Sequence, residues 1–307
     1  MKGIFSDRSV SFQLGILFTT FLIGYFIASI LTIPLIRLGS GTIFPAKMLE
    51  LPVSILLAVQ FISAICTFLL PAVCTAWLCS KQPSSFLYLK SFRIDIRLLL
   101  LVTLSMFLIS PTVSLTAYLN SLVRFPEWMA PFEEWIKTTE ESAAELTNKM
   151  LSQKGILAFC MNLLVVAIAT AITEEFLFRG TLFSILQRKI TNHHLVIWIV
   201  AILFSAIHFQ FYGFIPRMLL GAYLGYLVYW TKNIWIPVFA HFINNAVAII
   251  GISNDSLKEN TFFAETIPAK DLAWFSITAI VCLILFFICA GRIKKTNDSQ
   301  SITNPTE

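Results

Sequence analysis

Residues 155–187 read GILAFCMNLLVVAIATAITEEFLFRGTLFSILQ, and this stretch decides the fold of the chain. It is long enough to cross a bilayer, since a hydrocarbon core of about 30 Å needs about 20 apolar residues in a helix. Glu174 and Glu175 interrupt it, although an ionisable side chain costs about 2.5–3.5 kcal/mol at the centre of a membrane helix. Such groups persist when they are paired, line a water-filled cavity or take part in chemistry. The stretch therefore predicts a membrane helix that carries a functional site.

The composition of the whole chain supports a membrane protein. Of its 307 residues, 57% are hydrophobic and only 13% are charged, whereas soluble domains carry about 25% charged residues. No basic stripe with interleaved aromatic residues occurs, so nucleic acid is not an expected partner. We expect an all-α polytopic protein embedded in the lipid bilayer, with apolar runs of spanning character near 12–36, 52–78, 98–119, 155–187, 195–211, 214–231, 234–251 and 272–290.

These runs suggest one transmembrane helical domain over residues 1–291, followed by a polar cytoplasmic tail, 292–307, that we expect to be disordered. About eight helices place both termini on one side of the membrane. Most basic residues then lie on the side of the termini, and the acidic run 127–145 lies opposite. The positive-inside rule favours cytoplasmic termini, in the cell membrane. The motifs described next fall within a core of residues 155–251.

Two further polar clusters occur within apolar sequence. His208 lies in LFSAIHF, and His241 and Asn245 lie in FAHFINN. The fourth and fifth runs predict a helical hairpin, in which Glu174 precedes Arg188 by 14 residues and His208 follows His194 by 14 residues. At about 1.5 Å rise per residue both would lie about 21 Å from the turn, and hence level with each other. The fourth to seventh helices are therefore expected to form a catalytic bundle.

The spacing within the first cluster distinguishes the two acids. Glu175 and Arg179 are four residues apart, in the favourable acid-then-base order, so a supporting ion pair is the simplest interpretation. Glu174 points about 100° away and lacks that partner. Its carboxyl group is the candidate general base.

The remaining candidates complete a hydrolytic site. His241 and Asn245 also share a helix face and could offer two donors to a developing oxyanion. Phe204 precedes His208 by one turn, where its ring could line the site or brace the imidazole. Taken singly, each histidine could equally form a hydrogen bond between helices.

Other chemistries use the same residues. Glu174, His208 and His241 would form a His₂Glu zinc set, although no HExxH motif is present. We expect no cofactor, with zinc as the alternative that would make the protein a metalloprotease. A proton-coupled transporter would use Glu174 and His208 as a relay. A catalytically silent immunity or scaffold protein would have the same fold but no enzymatic activity.

Three motifs in order resemble a known family. EEFLFRG at 174–180 fits EExxxR, FSAIH at 204–208 fits FxxxH, and HFINN at 241–245 fits HxxxN. Together they resemble the CPBP intramembrane proteases, which include the CAAX prenyl endopeptidases and the bacterial Abi proteins. The resemblance covers about residues 155–250.

The resemblance implies a role for each motif residue. Glu174 would activate the attacking water with help from His208, and His241 and Asn245 would form the oxyanion hole. Glu175 and Arg179 would support the first motif. The implied activity is a glutamate-dependent endopeptidase that cleaves a membrane-associated protein or peptide, in some members a lipidated one.

Overall fold

The computed structural model describes residues 2–43, 48–89, 95–254, 267–268 and 270–303. Within these ranges the chain is helical and contains no strand, which confirms the all-α class. Besides single helical turns, the helices are α1 Val10–Ser40, α2 Val53–Cys79, α3 Ile96–Ser121, α4 Ala130–Leu151, α5 Ile156–Gln187, α6 His193–Ala206, α7 Phe214–Thr231, α8 Trp235–Ser253 and α9 Leu272–Thr303.

The apolar runs predicted from the sequence all fall on these helices. Among the described residues, six helices are long and apolar enough to cross a membrane, namely α1, α2, α3, α5, α8 and α9. The chain is thus a polytopic membrane protein. The apolar helix α6 has 14 residues, and α7 is not among the six. The number of eight spans therefore stays a prediction.

Helix α6 is shorter than its predicted span, which extended to residue 211. The helix ends at Ala206, and Phe209 adopts a left-handed backbone conformation with φ of 53°. A right-handed helix cannot continue through such a residue. The segment 207–213 is consequently an irregular connection between α6 and α7, and His208 belongs to this connection.

Helix α5 departs from regular α-helical geometry on both sides of its acids. Segments Leu163–Ala169 and Phe176–Leu182 are π-helical, and the α-helical segment between them is Thr170–Glu175. Single π-helical turns inside α-helices are rare and occur frequently at functional sites. The wider turns change the direction in which neighbouring side chains point. Glu174 and Glu175 thus stand on a short α-helical segment between two widened ones.

The interior is built around α5 and α8. One apolar cluster joins α5 to α2, α6, α7 and α8, through residues such as Phe183, Ile197 and Val228. A second cluster joins α3, α7, α8 and α9. Near its C-terminal end α8 packs on α4 and α5 through Ala246 and Ile249. Helix α8 therefore contributes to all three of these clusters, and its His241 is buried.

The bundle has two chemically different ends. At one, which we call the termini end, Arg188 of the α5–α6 connection donates to the carbonyl of Ser6 at 2.8 Å. Lys294 near the end of α9 interacts electrostatically with His193, so the end of α9 lies there too. At the other, the α4 end, the acidic helix α4 contacts the 207–213 segment. Helix α9 extends to Thr303 and so includes most of the predicted tail, whereas residues 304–307 lie outside the described residues.

Candidate active site

The structure contains the ion pair that the sequence spacing predicts. Arg179 Nη1 donates to Glu175 Oε1 at 2.8 Å, and both side chains are completely buried. Arg179 Nη2 also donates to the carbonyl of Gly221 on α7, at 2.9 Å. A Cβ atom at position 221 would lie 3.2 Å from that Nη2 and 3.0 Å from the ring of Phe204. The glycine therefore allows α7 to approach the guanidinium closely.

His241 lies between the two glutamates. Its Nδ1 is 2.8 Å from Glu175 Oε1, and its Nε2 is 3.9 Å from Glu174 Oε2. Because an ionised carboxylate only accepts hydrogen bonds, the Nδ1 atom carries the proton of the shorter contact. A hydrogen bond at one ring nitrogen fixes the orientation of the other. Glu175 thus directs the Nε2 atom of His241 towards Glu174.

Glu174 differs from its neighbour in access and in partners. Its side chain is 10% exposed, whereas that of Glu175 is 0% exposed. Among the described residues, no hydrogen bond to the Glu174 carboxyl group is present, and His241 is the nearest imidazole. A separation of 3.9 Å is too long for a direct hydrogen bond, and a water can bridge such a gap. Of the two carboxyl groups, that of Glu174 is thus the less constrained by partners.

Phe204 is the aromatic centre of the site and is almost fully buried. The Arg179 guanidinium lies over its ring at 4.3 Å from the centroid, within cation–π range. The rings of His208 and His241 meet it edge-on, with centroids 5.3 and 5.9 Å away. Phe204 therefore both lines the site and braces two imidazoles, as its position in the sequence suggested.

His208 lies beyond the end of α6, with its ring edge-on against that of Phe204. Its Nδ1 is 2.8 Å from the carbonyl oxygen of Phe204, which fixes the ring. Within the described part of the chain, His241 is the imidazole found within 4 Å of Glu174. The predicted equal depth of Glu174 and His208 was calculated from the rise per residue of a helix that continues through residue 208. Because α6 ends at Ala206, a helical rise cannot be used to calculate the depth of His208.

Asn245 follows His241 by one turn of α8 and is half-buried. Its Nδ2 donates to the carbonyl of Val166 at 3.3 Å, within the first π-helical segment of α5. An amide nitrogen carries two hydrogens, so one donor remains for another acceptor. Asn245 thus holds α8 against α5 and keeps a donor near His241.

Arg217 belongs to the site, although none of the three sequence motifs contains it. Its Nη2 donates to Gln210 Oε1 at 2.6 Å, and its guanidinium interacts electrostatically with Glu174 and Glu140. The Nη1 atom is buried without a hydrogen bond in the structure. The sequence FIPRMLL, which contains Arg217, could have indicated this, because an arginine within an apolar membrane run often belongs to a functional site.

Glu140 shows that the acidic run 127–145 is not only a solvated surface. Its carboxylate accepts from the backbone amides of Tyr212 and Gly213, at 3.0 and 3.2 Å. Asn120 donates to the carbonyls of Phe211 and Tyr212 at 2.6 and 2.8 Å. Helices α3 and α4 therefore fix the segment that carries His208. Nothing in the local sequence distinguishes Glu140 from the neighbouring acids.

A metal centre requires donors that converge on one point. Among the residues that the structure describes, no group of three His, Cys, Asp or Glu side chains is close enough to hold a metal ion. The set of Glu174, His208 and His241 does not fit a zinc site in this conformation. The contacts of Glu174 and His241 do not depend on one.

Part of the chain that carries the site is similar to a known protein family. Residues 156–247 match the model of a family described as type II CAAX prenyl endopeptidase Rce1-like. This part of the chain is called the Rce1-like region for that similarity. It runs from the start of α5 into α8 and contains Glu174, Glu175, Arg179, Phe204, His208, His241 and Asn245. The predicted family is thereby confirmed for this part of the chain.

Two proteins of Bacillus subtilis (strain 168) are similar to parts of the chain. "Uncharacterized protein YpbD" is 27% identical over 118 residues, which are 37% of this chain and 56% of the relative. "Putative membrane peptidase YdiL" is 30% identical over 95 residues, which are 31% of this chain and 38% of the relative. The chain thus spans about half or less of the length of these relatives. No solved structure matches the chain significantly.

Proposed function

We propose that the protein is an intramembrane endopeptidase that hydrolyses a peptide bond of a membrane-associated or lipidated protein or peptide. One observation carries the proposal. The Glu174 carboxyl group, with a side chain 10% exposed, lies 3.9 Å from the Nε2 atom of His241, whose other nitrogen is fixed by Glu175. This arrangement lies within the Rce1-like region. A carboxylate and an oriented imidazole that share a water are suited to amide hydrolysis.

The charges of the cluster supply a transferable proton. Glu174, Glu175 and Glu140 contribute three negative charges when ionised, and Arg179 and Arg217 contribute two positive charges. Because a net buried charge is costly, a neutral cluster is favoured. Neutrality requires one further proton, held by His241 or by Glu174. Glu175 is already bound to Arg179 and His241, so the mobile proton belongs to the Glu174–His241 pair.

The proposed reaction uses this pair directly. A water bound to ionised Glu174 attacks the peptide carbonyl carbon, and one water proton passes to the carboxylate. Protonated His241 donates from Nε2 to the oxyanion, with Asn245 as a second donor. The proton on Glu174 then passes to the leaving nitrogen as the C–N bond breaks. The products are an amine and a carboxylic acid, which then loses its remaining proton to water, and no external reductant or oxidant is needed.

The other motif residues keep supporting roles in this proposal. His208, whose ring packs against Phe204, assists the water or the substrate, and Arg217 adds positive charge beside Glu174. With both termini cytoplasmic, as the charge distribution favours, the α4 end of the bundle would face outwards.

Membrane proteomics comparing wild type with Glu174→Gln tests the proposal. We expect at least one peptide terminus that is produced in the presence of wild type and is absent with Glu174→Gln. With purified protein, the rate of cleavage of that peptide should be at least about 100-fold lower for the variant. Glu141→Gln makes the same chemical change on the exposed face of α4 and should leave cleavage unchanged. Full activity of Glu174→Gln would refute the mechanism.

Two controls separate the alternative functions. Cleavage that is lost with a chelator and restored by Zn²⁺ would show a metalloprotease. Proton-coupled solute flux into liposomes, without cleavage of any membrane substrate, would show a transporter that uses the same carboxyl group.

A further inference from the structure

An open cavity of about 550 Å³ lies at the termini end, away from the proposed active site. It is lined by the N-terminal segment and by the connection that follows α5. The lining residues are Ser6, Asp7, Arg8, Ser9, Val10, Ser11, Arg188 and Lys189. None of them takes part in the proposed hydrolysis.

The wall of this cavity is anchored to three parts of the protein. Phe5 donates its backbone amide to the carbonyl of Leu78 at the end of α2, at 2.9 Å. The completely buried Gln13 donates from Nε2 to the carbonyl of Phe5, at 2.9 Å. Arg188 donates to the carbonyl of Ser6. Basic residues that only determine membrane orientation need no such fixed geometry, because the positive-inside rule depends on their number.

The cavity carries a local excess of positive charge. Arg8, Arg188 and Lys189 line it, and Asp7 is the acidic residue among the lining side chains. The Asp7 carboxylate accepts a hydrogen bond from the Ser6 hydroxyl at 3.3 Å. The three cations are exposed, so their side chains can reach a bound group. Guanidinium groups bind phosphate oxygens through paired, charge-assisted hydrogen bonds.

The depth of the cavity indicates the source of the phosphate. It lies where α1 begins and α5 ends, and both helices are apolar enough to span a membrane. Such helices leave the hydrocarbon at the level of the lipid headgroups. Phe12 and Phe18, which follow the cavity-lining residues on α1, are 45% and 63% exposed and offer apolar surface to lipid. Basic pockets at this level are known to bind lipid headgroups.

We propose that this cavity binds the phosphate of an anionic ligand, and that the ligand is the headgroup of an anionic phospholipid. Arg8 and Lys189 bind the phosphate, and Arg188 links it to the anchored N-terminal segment. The acyl chains lie along the exposed apolar face of α1. The site is independent of the proposed protease activity.

Native mass spectrometry of the full chain in detergent tests this site. The protein is titrated with phosphatidylglycerol and, separately, with phosphatidylcholine. We expect at least a ~10-fold preference for phosphatidylglycerol, which the double variant Arg8→Gln with Lys189→Gln abolishes. The matched control is Arg292→Gln with Lys294→Gln, which removes two exposed cations of α9 outside the cavity and should keep the preference. Circular dichroism confirms folding, and Lys189→Glu replaces the double variant if that variant does not fold.

Each outcome bears on the proposal. A preference that survives the cavity variants, or one that the α9 control abolishes equally, would overturn the site. Equal binding of both lipids would do the same. Displacement of phosphatidylglycerol by glycerol phosphate at similar concentration would keep the phosphate site but assign it to a soluble ligand. Lipid retention is measured without turnover, so failure of the proposed protease function would not affect the result.

Discussion

Helices α5 and α4 each contain an acid and a base four residues apart, and the two pairs have the same geometry in opposite environments. Glu175 and Arg179 are 2.8 Å apart, with both side chains 0% exposed. Glu133 and Lys137 are also 2.8 Å apart, but Lys137 is 47% exposed and Glu133 is 15% exposed. Sequence spacing and N–O distance therefore do not determine how much a salt bridge contributes to stability. The burial of the pair determines it.

The buried pair belongs to a network of buried groups, whereas the surface pair has one further partner, the Phe125 amide that donates to Glu133 at 3.3 Å. Glu175 also accepts from His241, and Arg179 also donates to Gly221 and lies over Phe204. Removing one member of such a network leaves a charge without solvent or partner. An exposed pair loses little when broken, because water and salt screen its charges.

The largest effect is expected when the buried pair is broken. Arg179→Ala leaves the Glu175 carboxylate buried without its cation and should lower the free energy of unfolding by about 3–5 kcal/mol. Thermal unfolding in detergent, followed by circular dichroism, measures the loss. The double variant Arg179→Met with Glu175→Leu removes both charges and should recover part of that stability. Arg179→Ala with an unchanged unfolding midpoint would contradict the network.

A smaller effect is expected where α7 approaches the same network. Gly221→Ala places a methyl group 3.0 Å from the Phe204 ring and should cost about 1–3 kcal/mol through overpacking. Gly291→Ala is the matched control, since no atom lies within 4 Å of its Cβ position. That variant should be neutral or slightly stabilising, because alanine favours a helix by about 1 kcal/mol over glycine. Equal unfolding midpoints for the two variants would show that the close approach is unimportant.

A local effect is expected at the contact between α4 and the 207–213 segment. Glu140→Gln weakens the acceptor for the amides of Tyr212 and Gly213 and should cost about 1 kcal/mol. Hydrogen exchange at these two amides is the direct measurement and should become faster. Exchange in the α4 control Glu141→Gln should match wild type. Unchanged exchange in Glu140→Gln would mean that α4 does not fix the segment.

The smallest effect is expected at the surface pair. The Lys137 ammonium donates to Glu133 and holds the pKa of that carboxyl below its usual range. A depressed pKa stabilises the folded state above the unfolded pKa, and this contribution is lost as the pH falls through the folded pKa. At neutral pH, Lys137→Ala should leave the unfolding midpoint unchanged within error, with or without added salt. If Lys137→Ala lowered the unfolding midpoint as much as Arg179→Ala, the buried and the surface pair would contribute equally to stability, contrary to the prediction.

The fold class and the ion pair were predictable because each depends on local sequence. Apolar runs give membrane helices, and the spacing of Glu175 and Arg179 gives a shared helix face. The position of His241 between the glutamates depends on how α8 packs against α5. The spacing of residues within one helix does not show how that helix packs against another.

The surroundings of His208 could not be predicted for a related reason. The end of α6 coincides with the left-handed conformation of Phe209, and Asn120 and Glu140 hold the following residues from distant positions in the chain. Arg217 was a different case, since its charge within an apolar run was visible. Its relation to Glu174 became apparent only with the tertiary structure.

Glu175 Oε1 accepts from both Arg179 and His241, while Oε2 is buried without a partner among the described residues. One oxygen atom is therefore the junction between the scaffold and the proposed proton-transfer pair. A substitution that moves the Glu175 carboxylate therefore moves the contact of His241 as well. Stability and the proposed turnover are coupled through this atom, so the residues at positions 175, 179 and 241 should covary among homologues.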